Sequence, residues 1–100
     1  MTSFPNVACV GMHFRGQTAK DIVELLEIGS AVALEREPEN PYDTYAIKVL
    51  HGAVHIGYIE RGQAAWISPL LDEGRSATAA VTSMEMRGKN LHPILLIEVA

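Results

Sequence analysis

The stretch from Ala33 to Val49, A-L-E-R-E-P-E-N-P-Y-D-T-Y-A-I-K-V, sets two strand-like runs on either side of a stiff polar elbow. Pro38 and Pro41 fix their own φ and push Glu37 and Asn40 toward extended backbone, which excludes a helix. Asn40 and Asp43 can close side-chain-to-backbone turns. The product is a projecting loop offering an aromatic face, Tyr42, beside a carboxylate, Asp43, with Tyr45 two residues on. A ring beside an acceptor suits a planar ligand that carries a hydroxyl. Asn-Pro-Tyr-Asp is equally good turn material, so local chemistry leaves both readings open.

Working outward, Ala31 to Glu37 enters the elbow as a strand, with Val32 and Leu34 on one face and Glu35 and Glu37 on the other. Ala46 to Leu50 leaves it as a second strand. His51-Gly52-Ala53 reverses the chain into Val54 to Ile59, which should pair antiparallel with it. Gly57 marks a strand that is bent or closely approached. Upstream, Val7 to Met12 reads as the first strand, with Gly11 at a bulge or close approach. Thr18 to Leu26 reads as a helix, with Thr18 as N-cap, Asp21 completing a short capping box, Ile22, Val23, Leu25 and Leu26 as the apolar stripe, and Gly29 as the stop. Downstream, Arg61 to Leu71 reads as a shorter helix packed through Ala64, Ala65, Ile67, Leu70 and Leu71, anchored by Trp66 and broken or kinked at Pro69. Ala77 to Met86 is a long strand whose small residues permit barrel curvature. A turn at Arg87-Gly88-Lys89-Asn90 then leads to a last strand, Ile94 to Val99. The order is β-α-β-β-β-α-β-β, an α+β chain that is mainly β.

One hundred residues with 48% hydrophobic content suit one domain, residues 1–100, burying roughly two-thirds of its chain surface. The lone cysteine, Cys9, lies in an apolar run and fits a buried thiol in a reducing compartment. No signal sequence or spanning apolar run is seen, so a cytoplasmic location without membrane contact is expected. Twelve acidic and eight basic residues give a formal charge of −4, which argues against a broad basic surface wrapping duplex nucleic acid.

The chemistry of the remaining motifs is sparse. His13, His51, His55 and His92 lack the H-x-E and cysteine partners of a zinc site, which needs three or four converging ligands, so no metal is expected. No serine sits in a glycine-flanked nucleophile elbow, and no phosphate-cradling glycine motif is present, so neither cofactor nor enzyme activity is expected. Phe14 stands between His13 and Arg15, the composition of a surface that stacks bases and holds phosphates. A core-capping Phe14 beside a solvated Arg15 is the competing reading.

Taken together, V-G-M-H-F-R-G from Val10, L-E-R-E-P-E-N-P-Y-D-T-Y-A-I-K-V from Leu34, I-G-Y-I from Ile56 and P-L-L-D-E-G from Pro69 closely resemble the HIRAN domain across nearly the whole chain. The resemblance implies a six-stranded modified oligonucleotide-binding (OB-like) barrel with two short helices. It further implies a non-enzymatic module that grips the 3′-hydroxyl end of single-stranded DNA, serving a helicase or nuclease partner in repair, replication or phage-related processing. Stand-alone small members of the family are known mainly in bacteria and their viruses. By the same resemblance, Tyr42 stacks on the terminal base, Asp43 accepts from the terminal hydroxyl, and Phe14 packs on a base. Arg61 approaches a backbone phosphate and Tyr58 fills a polar position of the pocket. His13 stands where relatives carry arginine; Arg15 adds charge nearby and Asn40 shapes the loop. A further aromatic expected between Asn90 and Pro93 has no counterpart. With the acidic balance, that absence supports an alternative, a protein-interaction module on the same barrel with weak or no DNA binding.

Overall fold

Strand-forming runs separated by tight turns build a barrel in which every neighbouring pair is antiparallel. The computed structural model spans residues 1–100 and describes all of them except the side chain of His13, so the expectation placed on that side chain lies outside the described residues. The elements are β1 (Thr2–Val10), a 3-10 turn (Met12–Phe14), α1 (Gln17–Leu25), β2 (Ala31–Arg36), β3 (Ile47–His51), β4 (Val54–Ile59), α2 (Arg61–Asp72), β5 (Ala77–Arg87) and β6 (Asn90–Val99). The strands close in the order β1-β4-β3-β2-β5-β6, with β6 returning to β1. This is the mainly β, six-stranded OB-like barrel with two helices that the sequence implies. Among the described residues, no helix is long and apolar enough to cross a membrane.

The barrel interior is filled by alternate strand residues, among them Val7, Cys9, Ile47, Val49, Ile56 and Leu95. Closure depends on a short seam in which Cys9 pairs with Ile59 and Val10 with Tyr58. Gly57 makes that seam possible: a Cβ there would stand 2.6 Å from the Val10 carbonyl oxygen and 2.8 Å from the Cys9 sulfur. The close approach expected of Gly57 is therefore real. Gly11, by contrast, is no bulge; its φ of 80° starts the 3-10 turn that carries Phe14 out of the sheet.

Several local expectations are corrected. The first strand begins at Thr2 and ends at Val10, with its irregularity between Phe4 and Val7, where Asn6 takes a φ of 59°. The last begins at Asn90, because the two-residue turn at Gly88 and Lys89 pairs Arg87 directly with Asn90. Thr18 is not an N-cap: Gly16 holds that position, and Asp21 accepts a side-chain hydrogen bond from Gln17 at 2.8 Å. Leu25 points outward, and Gly29 is not the helix stop but donates to the Val81 carbonyl at 2.7 Å.

The second helix departs further. Ala64, Ile67 and Ser68 are its buried positions and Leu70 and Leu71 pack against the core as expected, but Ala65 and Trp66 face solvent. Trp66 is 77% exposed and anchors nothing. Pro69 does not break the helix, which runs on to Asp72, with the Pro69 carbonyl accepting from the Glu73 N–H at 3.2 Å. Ser68 is fully buried and its hydroxyl has no hydrogen-bond partner.

Two stability measurements check these contacts. Gly57→Ala should lower unfolding free energy by about 3 kcal/mol in urea titration, since backbone must move to admit the methyl group. Ser68→Ala should raise it by about 1 kcal/mol, because an unpartnered buried hydroxyl is removed and alanine favours the helix.

Candidate functional site

The elbow between β2 and β3 is ordered by its own side chains. Asn40 Oδ1 accepts from the N–H groups of Tyr42 and Asp43 at 2.9 and 3.1 Å. Asp43 Oδ1 accepts from the Tyr45 N–H at 2.9 Å. At the neck, the Glu37 N–H donates to the Ala46 carbonyl at 2.9 Å. The bonds to Asn40 and Asp43 form Asx turns, and they leave Tyr42 standing out at 86% exposure.

Two residues that carried no role in the sequence reading hold this loop to the barrel. Glu37 Oε1 accepts from Asn40 Nδ2 at 2.7 Å and from the Tyr58 hydroxyl at 2.9 Å, while Oε2 lies 3.2 Å from Lys48 Nζ. The Asn40 hydrogen bond, followed by those from Tyr58 and Lys48, holds the Glu37 carboxyl below its ordinary range against the opposing effect of burial. The Tyr58 hydroxyl is raised by burial and then by this acid. Arg36 reaches the other way, donating to the carbonyls of Ala46 and Thr44 at 2.7 and 2.9 Å and gripping Asp72 of α2 through Nε at 2.9 Å. The only sequence signal for this pair was their place beside the prolines in R-E-P.

Around the elbow lie two adjoining hollows that share Tyr42, Asp43 and Arg61. The inner one, ≈240 Å³, adds Asn40, Val10, Tyr58 and Ile59; the outer one, ≈670 Å³, adds Pro41, Tyr45, Gly62 and Ala65. Asp43 Oδ2 sits 4.0 Å from Arg61 Nε, with the carboxylate side chain 17% exposed and the arginine 79%. An ion pair so long and wet contributes little, so the guanidinium is free to swing toward another anion. The carboxylate keeps acceptor capacity on Oδ2, turned toward a hollow walled by rings.

Five expected site residues, Asn40, Tyr42, Asp43, Tyr58 and Arg61, thus converge. Phe14 and Arg15 do not line either hollow. Phe14 is 81% exposed on the 3-10 turn beyond the seam, so it is not a core cap. Arg15 lies near enough for its charge to act on His55 and Tyr58, favouring neutral His55 alongside the larger effect of burial. In the segment without the expected aromatic, His92 is buried with Nδ1 3.1 Å from the Cys9 carbonyl. Among the described residues, no three His, Cys, Asp or Glu side chains are placed to hold a metal ion. Burial pushes the Cys9 thiol up to about 12, far from a reactive thiolate.

The family model described as the HIRAN domain matches residues 5–93. The crystal structure of a protein from Lactobacillus plantarum is similar at 30% identity and a TM-score of 0.79, over 96% of this chain and 94% of that one. The crystal structure of the HIRAN domain of human HLTF is similar at 22% identity and a TM-score of 0.71, over 95% of this chain and 73% of that one. No curated protein matches the sequence.

The Glu37 linkage gives a pH signature. Its folded carboxyl lies below the ordinary 4.5, so its stabilisation is complete above that value and is lost as pH falls through the folded one. Glu37→Gln should therefore cost about 1 kcal/mol at neutral pH, and urea titrations across acid pH should show the gap to the parent closing.

Proposed function

This chain belongs to the HIRAN domain family, and on that premise we propose that it is a non-enzymatic module binding the 3′-hydroxyl end of single-stranded DNA. The observation that carries the reading is the convergence of Tyr42, Asp43, Tyr58 and Arg61 on one hollow. The terminal base stacks on Tyr42. The terminal hydroxyl donates to Asp43 Oδ2, and Arg61 turns from Asp43 to the neighbouring phosphate. Phe14 offers a second ring, and Arg15, whose charge reaches Tyr58, adds cationic character. Asn40 acts indirectly, by holding the loop.

Magnitudes set the strength of this grip. Two stacked bases at roughly 1–3 kcal/mol each reach only the low end of the ~8 kcal/mol that micromolar binding needs. Phosphate contacts supply the rest, and with few cations near the hollow on a chain of charge −4, binding is weak and falls steeply with salt. A 3′-phosphate would set a second anion against Asp43, while Arg61 can answer only one of the phosphates presented to it. A module of this strength serves a tethered or transient partner, such as a cytoplasmic helicase or nuclease in DNA repair.

Fluorescence anisotropy at low salt tests the reading with one oligonucleotide ended by a 3′-hydroxyl or a 3′-phosphate. The hydroxyl end should bind about tenfold more tightly, a ratio that Asp43→Asn reduces, and Tyr42→Ala should weaken binding about tenfold. Equal affinity for the two ends, or no binding, refutes it. Absent DNA binding together with capture of a protein through the Tyr42 loop would favour the interaction module instead.

A further inference from the structure

From the outer hollow and the helix beside it, we propose that Trp66 is a second stacking platform, taking an unpaired base one or two nucleotides in from the end. This inference rests on the end-binding reading above and extends the path of the strand. Trp66 is the chain's one tryptophan, and it stands 77% exposed on α2, which packs inward through Ala64, Ile67, Ser68, Leu70 and Leu71. A large ring left in water is an apolar surface without an internal purpose, and rings of this kind serve as sequence-tolerant base platforms.

Its position relative to the hollow decides which surface it serves. Ala65, its neighbour, and Gly62, one turn earlier, both line the outer hollow with Tyr42 and Tyr45. Trp66 stands one turn after Gly62 on the exposed side of α2, at the rim of this wall and outside the residues that line it. Nothing lies within 4 Å of where a Gly62 side chain would begin, so the wall there is bare. The outer hollow, ≈670 Å³, is nearly three times the ≈240 Å³ of the inner one. A strand end seated against Asp43 therefore has room to continue past half-exposed Tyr45 onto the Trp66 ring.

Electrostatics permit this path despite the acidic chain. The acids nearest the end of α2 are already answered, Asp72 by Arg36 at 2.9 Å and Glu73 by Arg75 at 3.5 Å. Glu60, before the helix, faces Arg87 at 3.5 Å. Arg61, at the junction of the two hollows, is held only loosely, 4.0 Å from Asp43 and 79% exposed.

The solitary tryptophan makes the test direct. An oligothymidylate hexamer with a 3′-hydroxyl should quench Trp66 fluorescence in parallel with its anisotropy. Trp66→Ala should weaken hexamer binding about tenfold, Trp66→Phe less, and both should keep the parent's preference for 3′-hydroxyl over 3′-phosphate. Circular dichroism should show both variants folded, since the residue is exposed. Hexamer binding with end preference but without quenching, or with unchanged affinity in Trp66→Ala, overturns the platform and leaves end recognition standing. Failure of the hexamer to bind at all overturns the platform and the end-binding reading together.

Discussion

Arg36 and Glu37 are consecutive residues at the exit of β2, and extended backbone sends their side chains to opposite sides. The arginine draws the elbow's carbonyls toward α2; the glutamate draws Asn40, Tyr58 and Lys48 together beneath the loop. One dipeptide thus fastens the elbow from two directions. A ten-residue connection without regular structure would otherwise lose its fixed geometry to conformational entropy. Pro38 and Pro41 remove part of that freedom in advance, and the two charged side chains fix the remainder.

Barrel closure brings the other wall of the hollow within reach. The β1–β4 seam seats Val10 against Tyr58, and Tyr58 in turn meets Glu37. Packing in the seam and polar contacts under the elbow are therefore coupled through one ring. Formal charge is a poor guide to such a surface. Acidic side chains predominate, yet several are paired locally, so the hollow meets a field set by Asp43 and Arg61 more than by the chain total.

The barrel was largely legible because strand alternation and turn residues report directly on burial. The elbow was legible because Asn40, Asp43 and the two prolines act over two or three residues. What escaped was non-local. Whether Trp66 or Ile67 faces inward is decided by the rotation at which α2 docks, and adjacent helix positions differ by about 100°. Thr18 lost the cap because Gly16, with φ 94°, begins the helix earlier than side-chain preference alone suggests. Glu37 read as one more strand carboxylate, since its partners Tyr58 and Lys48 come from β4 and β3. Phe14 and Arg15 enter the pocket reading through their composition and the family resemblance, yet on the 3-10 turn that begins after Gly11 they fall outside the lining of both hollows.

The seam at Gly57 has a consequence for the dynamics of the fold. Cys9 is fully buried, and its sulfur lies against the one strand position with no side chain. A thiol-specific reagent can reach it only when the barrel opens around β1. The alkylation rate of this single thiol is thus a clock for barrel opening, ticking in the native state and reporting on the strand that also walls the hollow through Val10.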